Sequence, residues 1–477
     1  MDSRITARAL SVALGGWRTR EPAYEALADG IRLLCLDNRL APRTTLPAER
    51  ELAAALGLSR ATIAAAYRSL RGTGHVESLR GSGTVTLPLG RRAFARSHVA
   101  DDDIDLQQAS PAAWPGLAGV ISEVAQDAAA LVARAGYDVV GNPALRAAIA
   151  DRYTARGIPT APDEVIVTTG AQSAIHLLAA TLVRRGERVL IETPTYPHAA
   201  EALRGAGARL VGVPVDTATG WDLDRAVQAF ERTRPVAAYL MPTFQNPTGR
   251  SMTALDQDVV LHAAARAGTV LIIDETTAEL DIETTAGGAR EVAAFRDPHA
   301  EVIHIGSLGK TVWGGLRVGW IRADADVIRR LVAARAPRDL GTPEFEQQVA
   351  TRLLARMPEI LAQRSDLLRV GRDALVRGLH AHLPEWGVPA PAGGVALWAE
   401  LDAPLSSALV MAVRAEGLYL SPGARFAVDG GHDRRLRLPF TAPPEQLRRA
   451  VEILADAWPR VRSAAPTAVT EFVDAVI

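Results

Sequence analysis

The sequence is almost devoid of lysine: Lys310 is the single one among 477 residues that include 52 arginines. A guanidinium serves surface ion pairs and carboxylate forks as well as an ammonium or better, so position 310 calls for an amine that arginine cannot replace. Two chemistries make that demand: condensation of a free amine with a carbonyl to a Schiff base, and the phosphate grip of a nucleotide-loop lysine. Cysteine is as scarce. Cys35 alone permits no internal disulfide and no cysteine-based metal cluster, which fits a reducing cytoplasm. A net charge of -1 excludes a broadly basic surface, so any contact with nucleic acid must come from a local patch. Apolar stretches such as 165–167 and 269–273 fall far short of a bilayer span, and the opening MDSRITARALSVALGG holds no apolar run of signal-peptide length. Neither a membrane segment nor a signal peptide is expected.

The chain is 48% hydrophobic and long enough for at least two domains with a large core. Residues 20–87 read as a first domain. Tyr24, Leu27, Ile31 and Leu34 recur at helical spacing, and a turn follows at Pro42 and Arg43. Pro47 then opens a second helix, Gly57 closes it, and Ser59 is placed to cap a third that runs to about Arg71. A small hairpin around RGSG, from His75 to Leu87, completes a helix-turn-helix with a wing. Residues 88–103, where arginines give way to three aspartates without apolar period, read as a linker.

Beyond about residue 136 short β-rich runs alternate with helical segments, the rhythm of a doubly wound, mostly parallel sheet. Seven runs qualify as strands: EVIVTT, RVLIET, ARLVGV, VAAYLM, TVLIID, EVIHIG and RVGWIR. The expected fold class is therefore α/β, with a large subdomain over 136–333. A smaller α+β subdomain is expected from 334–477 together with 104–135.

The lysine can now be placed. GSLGKT resembles the end of a nucleotide-binding loop, but the glycine needed five residues before Gly309 is His304, and the acidic strand LIIDE precedes the loop. The Schiff-base reading gains from the residues ahead of it. Gly170, Ala171 and Gln172 lie where a strand turns into a helix, so backbone N–H groups and the helix dipole can hold a phosphate. Tyr196 in PTYP, Asn246 in QNPTG and Asp274 in LIIDE close successive strands. Singly each has a plain alternative, as a loop aromatic, a turn former and a helix cap. Together they occupy the carboxyl ends of parallel strands, where ligands of such sheets collect.

The order TGAQ, PTYP, PTFQNPTG, an aspartate closing an apolar strand, GSLGK and a downstream arginine resembles the fold-type I pyridoxal-phosphate enzymes, the aspartate aminotransferase family. The segment YDVVGNPALRAAIADRYTARG, residues 137–157, adds to the likeness. With residues 20–87 in front, nearly the whole chain resembles the MocR subgroup of GntR-type regulators, a winged helix-turn-helix fused to an aminotransferase-like domain. The resemblance implies that Lys310 carries pyridoxal phosphate as a Schiff base, that Asp274 pairs with the ring nitrogen, that Asn246 bonds the ring oxygen and that Tyr196 stacks on the ring. Ala171, Gln172, Ser307 and Arg317 would take the phosphate, Arg437 an effector carboxylate, and Tyr137 the phosphate of a partner subunit in a homodimer. One departure is plain. Where the family commonly has tyrosine, two residues after the aspartate, this chain has Thr276, too short for the ring oxygen. Slow turnover as a transaminase is the expectation.

In the first domain the resemblance maps contacts with double-stranded DNA onto Arg50, Ser59, Arg60, Thr62, Arg80 and Gly81, with Ile63, Tyr67 and Leu70 facing the core. A second family arginine would fall at Ala64, which leaves base choice to Arg60. Nine arginines face seven acids over 20–87, a small surplus that a helical protein-interaction domain would also satisfy. The expected function is a cytoplasmic transcription regulator whose second domain senses a small amine or amino acid. The rival reading is a working aminotransferase with an accessory N-terminal module.

Overall fold

The structure, a computed structural model, describes residues 4–14, 22–36, 40–79, 83–87, 103–133, 135–283 and 295–464. Arg80, Gly81 and nearly all of the expected linker lie outside them.

The N-terminal unit comprises α1 (Ala7–Leu14), α2 (Ala23–Leu36), α3 (Glu49–Leu56), α4 (Arg60–Gly72) and the hairpin of β1 (Val76–Leu79) and β2 (Gly83–Thr86). Gly57 ends α3 in the left-handed conformation at φ 64°, and the Ser59 hydroxyl caps α4 by accepting from the Thr62 N–H at 3.1 Å. Ile63, Ala66, Tyr67 and Leu70 bury one face of α4, and the Tyr67 hydroxyl donates to the Pro47 carbonyl at 2.9 Å. Two details correct the sequence reading. Tyr24 lies at the solvent edge of α2, 36% exposed, while Ala28 joins Leu27, Ile31 and Leu34 inside. The unit also begins before residue 20: Leu10 of α1 is fully buried against it, and the Ile5 N–H bonds the Thr45 carbonyl, whose residue pairs in turn with Val85. A single buried leucine in a short helix gives too little periodicity to be noticed beforehand.

The second unit starts with β3 (Ile104–Asp105), α5 (Leu117–Gln126), α6 (Ala128–Val132) and α7 (Pro143–Ala155). Its winding core follows as β4 (Val165–Thr168), α8 (Ala171–Leu182), β5 (Arg188–Thr193), α9 (Pro197–Gly205), β6 (Arg209–Asp216) and β7 (Gly220–Trp221). Then come α10 (Leu223–Thr233), β8 (Ala237–Leu240), α11 (Ala254–Ala267), β9 (Val270–Asp274), β10 (Val302–Ser307), β11 (Gly319–Arg322), α12 (Ala325–Arg335) and α13 (Glu344–Leu354). The strands lie in the order β4-β11-β10-β9-β8-β5-β6-β7. From β10 through to β6 neighbours are parallel, whereas β11 runs antiparallel to both of its neighbours. All seven expected strands are present, and the two-residue β7 extends the edge as an eighth. Strands such as β4 and β8 are buried at every residue, which explains their unbroken apolar runs.

The rest comprises α14 (Met357–His382), β12 (Ala396–Glu400), α15 (Ser406–Arg414), β13 (Leu418–Tyr419), β14 (Ser421–Pro422), β15 (Arg435–Pro439) and α16 (Pro444–Ala464). Strands β12, β15 and β14 form an antiparallel sheet against α14 and α16, and β13 pairs with β3. The packing divides the chain differently from the sequence reading. Ile104, Leu106 and Ala109 belong to this smaller core, but Trp114, Leu117, Val120 and Val124 pack with Leu145, Val165 and Val349 of the larger unit. Helix α13 and the start of α14, at Met357 and Ile360, pack there too, while Leu368 and Leu375 serve the smaller core. A single 26-residue helix spans both cores, so the change occurs inside it rather than at residue 334.

Arg364 sits at that change, 3% exposed, donating to the carbonyls of Thr311, Ala112 and Val312 at 2.9, 3.0 and 3.0 Å. It ties the loop after Lys310 to the segment entering α5. Arg364→Met is expected to strand these carbonyls and cost about 2–4 kcal/mol, read as a lowered urea midpoint, with Arg364→Lys recovering part of the loss.

Candidate functional site at the strand ends

The carboxyl ends of β5, β8, β9 and β10 open on one side, and the turn from β4 into α8 joins them through β11. Asp274 closes β9, 2% exposed. Its Oδ1 accepts from the Thr276 N–H at 2.9 Å and the Thr276 hydroxyl at 2.6 Å, and its Oδ2 from the Tyr239 hydroxyl. Burial raises the carboxyl above its usual range, and these donors oppose the rise. Thr276 thus spends its hydroxyl on the carboxylate, in keeping with its short reach.

Lys310 follows β10 by a tight turn, and its ammonium donates to the Ala109 carbonyl at 2.6 Å. Burial, reinforced by the Arg437 cation, lowers the amine from 10.5 to about 8, with Asp274 pulling the other way. Arg437 of β15 is 6% exposed and lies 4.8 Å over the Phe426 ring. One of its terminal nitrogens donates to the Gln107 carbonyl, its Nε has no partner among the described residues, and burial lowers it to about 10. Tyr196 precedes α9, half-buried; burial first, then the Asp274 anion, pushes its hydroxyl up to about 12, and Arg437 and Arg317 act on it from the other side. Asn246 sits in a cis peptide to Pro247, and its buried Oδ1 has no partner among the described residues.

A cradle lies at the start of α8. Gly170, at φ 85°, turns the chain into the helix, and a Cβ on Gly319 would stand 2.8 Å from the Gly170 carbonyl carbon and 2.9 Å from the Ala171 nitrogen. Arg317 donates to the Thr169 carbonyl at 2.7 Å, and the Gln172 Oε1 is buried without a partner. The Ser307 hydroxyl donates to the Val318 carbonyl and accepts from the Gly309 N–H, both at 3.1 Å, which closes the lysine turn. Tyr137 is 77% exposed and reaches nothing in this cleft. The remaining set fits pyridoxal phosphate: a depressed amine for the aldehyde, an acid for the ring nitrogen, an orphaned amide, an aromatic ring, and helix N–H groups with an arginine for the phosphate.

Sequence reasoning missed several residues. Tyr239 sits wholly inside β8, and a tyrosine within a run of small buried residues was the available signal, since its hydroxyl must find a partner. Glu192, buried under three donors from Trp221, Met241 and Gln245, is pushed by burial to about 7. Burial would also raise Glu275, but His304 and Arg156 hold it well below the carboxylate range. His304, standing where a nucleotide loop requires glycine, is thereby accounted for as a buried partner of Glu275.

In the N-terminal unit Arg50 and Arg60 are exposed and have no ion-pair or hydrogen-bond partner among the described residues. The hydroxyls of Ser59 and Thr62 pair with each other at 2.8 Å at the start of α4. The other mapped contacts, Arg80 and Gly81, lie outside the described residues.

Comparison with known proteins places these features. The family "Aminotransferase class I and II" matches residues 118–454, and "Bacterial regulatory proteins, gntR family" matches residues 23–85. The chain is 32% identical over 295 residues to 2-aminoadipate transaminase of Thermus thermophilus, covering 60% of this chain and 73% of that protein. It is 31% identical over 345 residues to the probable rhizopine catabolism regulatory protein MocR of Rhizobium meliloti, 65% of this chain and 68% of that one. Among solved structures, the alpha-aminoadipate aminotransferase LysN of Thermus thermophilus, complexed with N-(5'-phosphopyridoxyl)-L-leucine, superposes with a TM-score of 0.69 at 29% identity, covering 77% of this chain and 95% of that one.

Because Lys310 is the sole lysine, side-chain amine labelling reports the cleft alone. With an amine lowered to about 8, half-maximal labelling of the Lys310 peptide is expected near that pH, whereas an ordinary lysine at 10.5 is under about 1% neutral there. Mass spectrometry across a pH series checks this, and a midpoint near 10 contradicts it.

Proposed function

The chain belongs to the aminotransferase class I and II family, in the MocR-type branch that carries a gntR-family domain ahead of it, and we propose that its cleft governs DNA binding by recognising a small amino acid or amine. It is a DNA-binding regulator with an aminotransferase-like domain, and the cofactor of that domain is pyridoxal phosphate. The observation that carries the reading is the presence in one chain of an exposed, unpaired Arg60 at the start of a capped helix and a buried, acidified amine at Lys310.

When bound, the cofactor supplies an aldehyde that condenses reversibly with primary amines. Lys310 would be the amine that holds it, its lowered pKa leaving part of it neutral and able to condense. Asp274 would pair with the ring nitrogen, Asn246 with the ring oxygen and Tyr196 with the ring face, while the N–H groups of Ala171 and Gln172 with Arg317 would hold the phosphate. Arg437 receives an effector carboxylate; its buried, unpartnered Nε supports a ligand of that charge. Occupancy alters DNA affinity only to the extent that the ligand favours one domain arrangement over another. Arg60 reads a base edge and Arg50 a phosphate, with Ser59, Thr62 and the wing at Arg80 and Gly81 beside them. A homodimer brings two such helices to two half-sites, and the exposure of Tyr137 suits a residue that completes the partner's cleft. No helix among the described residues is long and apolar enough to cross a membrane, and a cytoplasmic site of action follows from the DNA target.

Amino-group transfer is the second reading, favoured by the retained lysine and aspartate. Thr276 stands against it, since its hydroxyl serves Asp274 and leaves the ring oxygen to Asn246.

A gel shift on the upstream DNA of its own gene tests the proposal. Arg60→Ala is expected to lose about 5- to 150-fold in affinity with or without pyridoxal phosphate. Lys310→Ala is expected to bind DNA but to lack the visible cofactor band and any response to a panel of amines. Wild-type binding that ignores cofactor and every amine, or brisk transamination by purified protein, contradicts the proposal.

A further inference from the structure

An ionised carboxylate offers about four lone-pair directions. At Asp274 three are filled: two on Oδ1 by the N–H and hydroxyl of Thr276, and one on Oδ2 by the hydroxyl of Tyr239. A single acceptor direction on Oδ2 is left. Tyr239 is 1% exposed and fixed within β8, with Tyr239 opposite Ile272 and Leu240 opposite Ile273 of β9, so its hydroxyl cannot turn to water. Burial and the nearby carboxylate raise its own ionisation well above the usual range, which makes it a permanent donor. The charged and titratable groups facing Asp274 come from several elements: Glu275 next in the chain, Glu192 from β5, Tyr196 beyond it, Tyr239 from β8, and Lys310 after β10. Glu275 and Glu192 disfavour its ionisation and Lys310 favours it through space, while the three donors are the groups that stabilise the buried anion by direct hydrogen bonds.

We propose that Tyr239 is a positioning residue which, together with Thr276, holds Asp274 ionised with one acceptor direction open, so that the carboxylate receives a single protonated ring nitrogen in one orientation. The inference rests on the reading of the cleft as a pyridoxal-phosphate site. It also accounts for Thr276, which cannot reach the ring oxygen and supplies two of the three donors instead.

The test measures binding of pyridoxal phosphate to the full chain, by quenching of tryptophan fluorescence and by the visible band, over a pH series. Loss of a hydrogen bond to a charged group predicts about tenfold weaker binding by Tyr239→Phe near neutral pH. The sign of the pH effect follows from linkage. The ionised carboxylate favours the cofactor, and removing a donor raises its pKa, so binding persists above the raised pKa and is lost as pH falls through it. The acid midpoint for cofactor loss therefore moves upward by about one unit in Tyr239→Phe. Thr276→Val moves it the same way and Thr276→Ser restores it, which keeps the test open should Tyr239→Phe fold poorly. In an Asp274→Asn background Tyr239→Phe adds nothing. An unchanged affinity and midpoint in Tyr239→Phe, or an equal effect in the Asp274→Asn background, overturns the inference while leaving the site reading intact. Failure of the wild-type chain to bind pyridoxal phosphate at all overturns both.

Discussion

The site depends on two cations buried in one cleft. Lys310 and Arg437 come from different sheets, and burial makes each easier to deprotonate; the Arg437 charge adds to the effect on Lys310. Arginine resists deprotonation under ordinary conditions, so the lysine yields. The same arrangement that makes an ammonium easier to deprotonate leaves the guanidinium short of an anion, with a backbone carbonyl and an aromatic ring against it among the described residues. One shared burial therefore accounts both for the lowered amine and for the guanidinium left against a carbonyl and a ring.

Holding two such groups close requires a rigid frame, and side-chain bonds to backbone carbonyls supply much of it. Gln245 donates to Pro194 and Glu192 and accepts from the Thr248 N–H and hydroxyl, so the loop of Asn246 and the loop of Tyr196 move as one. Arg364 does the same for the lysine turn and the segment entering α5, and Thr277 fixes the Asn246 loop by donating to the carbonyls of Thr243 and Phe244. The ring-facing groups are thus set by buried neighbours that never touch a ligand. Such neighbours govern geometry to within fractions of an ångström.

Legibility in the sequence followed periodicity. The seven strands, the capped helix after Ser59 and the glycine at its approach announce themselves through patterns that local chemistry imposes. The lysine was legible for a different reason, rarity, which made its position a question before any motif was considered. What stayed hidden was pairing between distant residues. Tyr239 and Asp274 are 35 positions apart, and Gln107 and Arg437 are 330 apart. The subdomain division was misread for the same reason, because α14 looks uniform along its length while its two ends face different cores. The bond from the Ser307 hydroxyl to the Val318 carbonyl, eleven positions on, was equally hidden.

Regulation and catalysis make opposite demands on such a cleft. A transaminase must stabilise the transition state of proton transfer beyond its ground state, which calls for groups tuned to the ring oxygen and the amine. A sensor needs only that bound and unbound forms differ in free energy and that the difference reaches another domain. Both donors of Thr276, its N–H and its hydroxyl, are directed to the Asp274 carboxylate, which suits the second demand better than the first. In the N-terminal unit Ser59 caps α4, and Arg60 at its start has no ion-pair or hydrogen-bond partner among the described residues, although the second arginine of the family pattern is replaced by Ala64. The pairing of a threonine bound to the buried acid with an exposed arginine at a capped helix start is what makes the proposed reading favour occupancy over turnover.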